Sequence, residues 1–371
     1  MDLITRFFGV ILSFIFDQVA NLTSVGTLGI TIIVFTLVTR LLLTPLQISQ
    51  QRSSRLMSKL QPEMDRIRKK YKDKKDQESQ MLMYQETQAL YKKYKVKPTA
   101  GCLTMFIQLP LIWALFNVLR QPIRYIDKLK VIYTDMAKVI KEVPNYQEQL
   151  NVFMEQVKKT NTYTFDLSTM EKVDKILGLP DFLSYLTSMQ WKELIPKFSA
   201  SVQQALNSNY TQKLNYEYFL GINLVDSPKQ LISNGVYLAI LVPIIAGAST
   251  YIFSKVNMSA NTAMQKTAAS SGNGEPNPTE SMMKSMTIMM PILTAMFAYT
   301  ASSGLALYWI AGNIIMMGQQ YVVNKIVDKQ QAKLDEQIKK ENDSLKTTKK
   351  VVKKKVVKKV PVNELKGNTK K

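Results

Sequence analysis

The chain has no histidine and a single cysteine, Cys102. Without histidine it lacks the commonest general base and metal ligand. One cysteine rules out an internal disulfide framework, and its place beside an apolar run makes Cys102 a small packing residue. No GxxxxGK[ST] loop, CxxC pair or HExxH helix occurs, and the Gly272-x-Gly274 pair follows no strand pattern that would make it a phosphate loop. These absences argue against an enzyme, and no cofactor or metal is expected. Acids are also scarce, 28 against 49 lysines and arginines, which leaves a net charge of +21.

What the chain does have is apolar residues gathered into five long runs. They predict an all-α integral membrane protein with spans over residues 25–46, 100–122, 233–254, 285–303 and 304–325. The last two form one run, Met286 to Val323, interrupted by Ser302-Ser303-Gly304. At ~1.5 Å per residue it is near twice a ~30 Å hydrocarbon core, so a tight helical hairpin is expected. Residues 1–24 read differently. Asp2, Arg6, Gly9, Ser13 and Asp17 share one helical face, while Leu3, Phe7, Ile11, Phe14 and Ile15 cover the other. That pattern predicts an external amphipathic helix lying in the interface, with an uncleaved signal-like anchor as the alternative.

Charge sets the expected orientation. Gln47 to Pro98 carries fourteen basic and six acidic residues, and Lys325 to Lys371 carries sixteen and six. Ile123 to Ile232 is nearly balanced, thirteen against twelve. By the positive-inside rule the first two segments are cytoplasmic and the third external, so the N-terminus lies outside and the C-terminus inside. Residues 47–99 read as a cytoplasmic hairpin of two helices, Gln50 to about Lys72 with a break or kink at Pro62, then Asp76 to Lys95. Residues 123–232 form an external segment that either caps the spans or recruits a partner. Residues 255–284 are a cytoplasmic linker. The tail, 326–371, is expected to be disordered and to meet anionic lipid or the ribosome through its charge.

The most telling residue is Arg40, inside the apolar run Leu28 to Leu46. An ionised side chain at that depth costs about 2.5 to 3.5 kcal/mol on insertion scales, so it belongs in a wet cavity or beside a partner. The competing placement has Arg40 snorkelling to cytoplasmic head groups, ~9 Å away at Leu46. Against this, a helical Cα–Cβ bond tilts toward the N-terminus, here toward the bilayer centre. Thr36, Thr39, Gln108, Trp309, Asn313, Gln319 and Gln320 are the polar or amphipathic groups expected to line a hydrophilic groove with it. Interhelical hydrogen bonding is the alternative use of such groups, above all for Asn313 and Gln108.

Several linked motifs, Thr39-Arg40-Leu-Leu-Leu-Thr-Pro45-Leu, Leu60-Gln-Pro-Glu63, Gly101-Cys-Leu-Thr-Met-Phe-Ile-Gln108-Leu-Pro110 and Ser303-Gly304-Leu-Ala-Leu-Tyr308-Trp309-Ile-Ala-Gly-Asn313 with Gln319, resemble the YidC family of membrane protein insertases in their five-span, Gram-positive form. Thr104 and Ser302 stand where that family usually has proline, and the external segment is longer than usual. The resemblance implies a bacterial plasma-membrane insertase and chaperone that takes nascent membrane proteins as clients. It acts as a monomer on small clients, with the Sec translocon on larger ones, and meets the ribosome through its basic tail. It also implies a client slide along the second and fourth spans, where Met105, Phe106, Met289, Met290, Met296 and Phe297 fall, although ordinary packing would equally use such residues. A channel or transporter and a passive assembly factor are the rival classes. A transporter should show internal repeats and paired broken helices, and none is evident.

Overall fold

The computed structural model describes residues 2–72, 74, 76–94, 109–110, 112–114, 116–118, 122–160, 178–260 and 278–357. Gln108, Met105 and Phe106, most of the second apolar run, residues 261–277 of the linker and the tail beyond 357 lie outside the described residues. The fold is mostly helical. Among the described residues its one departure is a two-stranded antiparallel ribbon, β1 (Tyr218–Phe219) with β2 (Ile222–Asn223). Leu220 and Gly221 between them have φ of 50° and 80°, the positive values a two-residue hairpin turn requires.

Helix α1 (Asp2–Leu22) has two apolar faces where one was expected. Leu12, Ile15, Phe16 and Val19 are buried, while Phe7, Val10 and Phe14 remain exposed. The buried side meets α2 (Thr27–Leu42), where Phe8 packs edge-on against Phe35 at 6.1 Å. Entry into α2 is tight. Gly26 adopts a left-handed φ of 72° and its N–H bonds to the Asn215 carbonyl at 2.8 Å. A Cβ on Gly29 would stand 2.3 Å from the Phe219 ring, so only glycine lets the ribbon press on this helix.

A 56° bend then separates α2 from α3 (Thr44–Tyr71). Pro45, without an N–H, begins the new helix in the first-turn position it tolerates. The helical hairpin expected after the first span differs in detail from that expectation. Helix α3 starts at Thr44 rather than Gln50 and runs unbroken through Pro62. Helix α4 (Gln77–Lys93) is capped by Asp76, which accepts from the Ser79 N–H at 2.8 Å. Leu56, Leu60, Met64 and Leu90 form the hairpin's own small core, separate from the main one.

The described residues of 123–232 form a helical cap on α1 and α2. It comprises α5 (Asp127–Lys141), α6 (Tyr146–Thr160), α7 (Gly178–Ser184), α8 (Ser188–Leu194), α9 (Ala200–Glu217), the ribbon and α10 (Pro228–Ser233). Its core around Trp191, Tyr133, Phe153 and Phe182 is continuous with Leu12 and Phe16 of α1, Ile32 and Phe35 of α2, and Tyr308. Helix α11 (Leu241–Ala260) follows, then α12 (Pro278–Thr300) and α13 (Ser303–Val357), with the turn at Ala301–Ser302 where the serine-glycine break placed it. Helix α11 lies between α12 and α13, and α13 also packs on α2 and α3. At Gly247 a Cβ would come within 3.1 Å of the Pro291 carbonyl oxygen, so α11 and α12 touch backbone to backbone.

Among the described residues, one helix, Tyr237–Asn257, is by itself long and apolar enough to cross a membrane. The bent pair Thr27–Leu42 and Thr44–Met57 passes jointly, and Thr287–Thr300 is a shorter apolar helix. Residues 326–357 depart from the disorder expected of the basic tail, since α13 continues as one helix to Val357. An apolar first half that is already helical removes the nucleation cost, and the Lys, Gln, Glu and Ala that follow propagate it well.

The cap holds a buried charge cluster. Lys213 Nζ donates to Glu217 Oε2 at 2.6 Å, both side chains being almost fully buried, and Tyr133 donates to Glu217 Oε1 at 2.9 Å. Nearby, burial pushes the Asp226 carboxyl above its ordinary range, while Ser188 bonds and Lys213 pull the other way. The Asp226 carbonyl oxygen accepts from both the N–H and the hydroxyl of Ser303, at 2.9 and 2.8 Å, tying the cap to the first residue of α13. Replacing Lys213 by Met strands the Glu217 carboxylate and should cost about 3 to 5 kcal/mol. Because the Asp226 pKa is raised on folding, its contribution is greatest below about pH 4, the ordinary carboxyl value, and is lost as pH rises through the raised value. Asp226→Asn should flatten that part of the pH–stability curve, read by thermal unfolding of the purified protein at stepped pH.

Candidate functional site

Arg40 lies in the last turn of α2, ~20 Å along the axis from Thr27. Its side chain runs back toward Thr36 and rests over Gly312 of α13. The position a Gly312 Cβ would occupy is 3.2 Å from Arg40 Nη2, 3.7 Å from Nε and 3.8 Å from the Thr36 methyl. The missing side chain at 312 is therefore the space the guanidinium occupies. This direction is the one the tilt of the Cα–Cβ bond favours, away from Leu46. Thr36 and Thr39 are buried, and their hydroxyls donate to the Ile32 and Phe35 carbonyls at 2.6 and 2.9 Å. Each satisfies its own donor within the helix and presents a methyl and lone pairs to the neighbouring surface.

The bend after Arg40 frees a backbone carbonyl, and two side chains take it up. Arg40 O accepts from Thr44 Oγ1 at 3.1 Å and from Gln319 Nε2 at 3.0 Å, and Gln319 Nε2 also reaches Thr44 Oγ1 at 2.5 Å. Gln319 is thus a clamp on the break that orients Arg40. Beyond it runs a polar ladder between α3 and α13. Gln47 donates to Gln320, Gln320 to Asn324 at 3.0 Å, and Arg55 Nη2 to Asn324 at 2.7 Å, while Arg55 Nη1 pairs with Asp328. Positions 47, 51 and 55 face 320, 324 and 328, one residue per turn on each helix.

The residues expected to line one groove therefore divide. Arg40, Thr36 and Gln319 come together. Asn313, buried, turns to α11 and donates to Ser249 Oγ at 3.0 Å and Thr250 Oγ1 at 2.9 Å. Gln320 belongs to the ladder, and Trp309 packs against the main core and the α11–α13 contact. Gly312, Gln47, Gln51, Arg55, Asn324 and Asp328 escaped the sequence reading. The signal for Gly312 was a glycine inside an apolar helix; the ladder offered only paired polar residues at spacing four on two distant segments. On α12, Met289, Met290, Met296 and Phe297 are all exposed, whereas Pro291 and Ala298 on the other side are buried toward α11.

If Gln319 clamps the bend, Gln319→Leu should lower stability by about 1 kcal/mol. It should also speed amide hydrogen exchange at residues 43–48 without changing exchange in α11 or α12.

The chain matches the family described as 60Kd inner membrane protein over residues 20–331. It is similar to the membrane protein insertase MisCA of Bacillus subtilis (strain 168), 25% identical over 312 residues that cover 84% of this chain and 76% of that protein. It resembles the membrane protein insertase YidC of Oceanobacillus iheyensis at 26% over 314 residues, 84% of this chain and 80% of the relative. The YidC insertase of Alkalihalophilus pseudofirmus is 47% identical over a shorter stretch of 113 residues, 30% of this chain and 44% of that protein. With Arg40, its bend and the serine-glycine turn of α12 and α13 all inside the matched region, the chain belongs to the 60Kd inner membrane protein family, the family of the YidC insertases.

Proposed function

We propose that this protein is a membrane protein insertase and chaperone of the bacterial plasma membrane, working without covalent chemistry. The observation that carries the reading is the Arg40 guanidinium held over Gly312 in the last turn of an apolar helix. Five spans cross the bilayer: α2, the segment containing residues 109–118, α11, α12 and the first part of α13. The N-terminus and the cap lie outside; the α3–α4 hairpin and the basic end of α13 lie in the cytoplasm, as their charge demands.

Moving a client's polar segment into hydrocarbon exposes carboxylates and backbone groups to a desolvation cost of several kcal/mol. A hydrated groove open to the cytoplasm and closed by the external cap shortens the dry path. At its inner end Arg40 carries a charge that is always present, so it holds a client's acidic group transiently. The client's apolar segment meanwhile moves along the exposed methionine and phenylalanine face of α12, whose flexible thioethers adapt to different side chains. The lysine-rich end of α13 suits anionic lipid head groups or the ribosome surface, and cooperation with the Sec translocon on larger clients follows from the family.

The test is insertion of a single-span client with an acidic external tail by a depleted host carrying each variant. Arg40→Ala should abolish insertion, Arg40→Lys should largely restore it, and removing the client's acids should relieve the Ala defect. Insertion by Arg40→Ala equal to that of the unaltered protein would leave a passive assembly factor as the better description. Gly312 supplies a second probe. Gly312→Ala asks the flexible guanidinium to move a few tenths of an ångström and should be mild, whereas Gly312→Leu fills its space and should reproduce the Arg40→Ala phenotype on the same acidic client.

A further inference from the structure

Three helices share a wide band of exposed apolar side chains, Ile244 and Ile252 on α11, Ile292 on α12 and Ile314 on α13. Contacts between the helices fix their relative levels. Asn313 bonds to Ser249 and Thr250, and Val242 and Ala246 share a small core with Ala306 and Ile310, so α11 and α13 run parallel with residue 313 beside 249–250. Gly247 lies against Pro291 and Ala295, which sets the level of the antiparallel α12. At ~1.5 Å per residue, Tyr237, where the apolar helix of α11 begins, stands ~19 Å to one side of the Asn313 bonds, and Tyr321 of α13 stands ~12 Å to the other. The band between the two tyrosines is therefore ~31 Å deep along the helix axes, against ~30 Å for a hydrocarbon core.

Charge marks the Tyr321 edge. Residues 237–254, 285–300 and 303–324 contain no charged side chain, and the first charges met on that edge are all lysines, Lys255, Lys284 and Lys325. The same contacts put the three positions within ~6 Å, about one helical turn, of the level of Tyr321. Tyr321 is 65% exposed, and the Lys325 ammonium reaches back one turn to lie 4.5 Å from its ring centre, as Lys255 does toward Tyr251 at 5.5 Å. We infer that the band is the lipid-facing girdle of the protein, and that the phospholipid head groups of one leaflet, the cytoplasmic one on the function proposed above, meet it at the plane of Tyr321 and Lys325. Lysines there face phosphates, the amphipathic tyrosine ring sits where hydrocarbon gives way to head groups, and the isoleucines face acyl chains. The match of the band's depth to the hydrocarbon core, with cations gathered on one edge, favours lipid over a protein partner. Gly312 is then ~14 Å inside the head-group plane, so the Arg40 guanidinium resting on it stands close to the middle of the bilayer. The inference rests on the membrane function proposed above and gives its charged site a depth.

The test places single spin labels on exposed positions of α13, through Ile314→Cys, Gly318→Cys, Val322→Cys and Lys329→Cys in full-length protein carrying Cys102→Ser. Tyr321 and Lys325 stay intact. The protein is reconstituted without client in vesicles of phosphatidylethanolamine and phosphatidylglycerol, and relative collision with molecular oxygen and with a nickel chelate gives the depth of each label. The label at 314 should read ~12 Å deeper than that at 322. The label at 322 should lie at the head-group plane and that at 329 in water. A head-group plane more than ~5 Å, one helical turn, from residue 322 overturns the proposal. So does a label at 314 or 318 that neither reagent reaches, because a protein or a second copy of this chain then covers the face. Matching unfolding midpoints show that the labelled variants remain folded. Since no client is present, a plane found at 322 together with normal insertion by Arg40→Ala would keep the membrane placement and remove the electrostatic role, and the converse pair of results would do the reverse.

Discussion

A guanidinium on a four-atom stem has to fit between two helices that would otherwise close on each other. The solution is subtractive. Gly312 withdraws a side chain from α13, and Arg40 fills the vacancy while the Thr36 methyl closes it from above. Several other features answer to this contact. The helix must end soon after Arg40, so the chain bends by 56° at Thr44 and Pro45. The carbonyl freed by the bend must be satisfied, so Thr44 and Gln319 are spent on it. The two helices must stay in register for Gly312 to face Arg40, which the ladder from Gln47 to Asp328 secures on one side and the Asp226–Ser303 bonds on the other.

Much of this was legible before any coordinates. Arg40 stood out because burial of a charge is costly enough to demand a reason, and the α12–α13 turn stood out because serine and glycine interrupted a run too long for one span. The hairpin followed from its helical patterns. These are local signals, in which one residue conflicts with or punctuates its own neighbourhood.

What escaped depends on the partner across a contact. Nothing in the sequence around Gln47, Gln51 and Arg55 singles them out, and only the approach of Gln320, Asn324 and Asp328 from 273 residues away shows them paired. Gly312 reads as a tolerated weakness in a helix until the arginine above it is seen. The role of Asn313 was open because a buried amide serves a groove or a neighbouring helix equally well in one dimension; Ser249 and Thr250 take both of its donors' directions. The tail read as disordered because its charge cannot build a core, yet a helix already started in the preceding segment needs no core to continue.

The unbroken helix α13 has a mechanical corollary. As a rod of 55 residues it is ~80 Å long, and the ladder at Asn324 divides it into arms of ~50 Å toward Val357 and ~18 Å toward Gly312. The short arm is held at both ends, by the ladder at Asn324 and by the Asp226 bonds at Ser303, whereas the long arm extends past the last rung at Asp328. A force on the lysine-rich end is therefore taken up at the ladder before it reaches the glycine on which Arg40 rests.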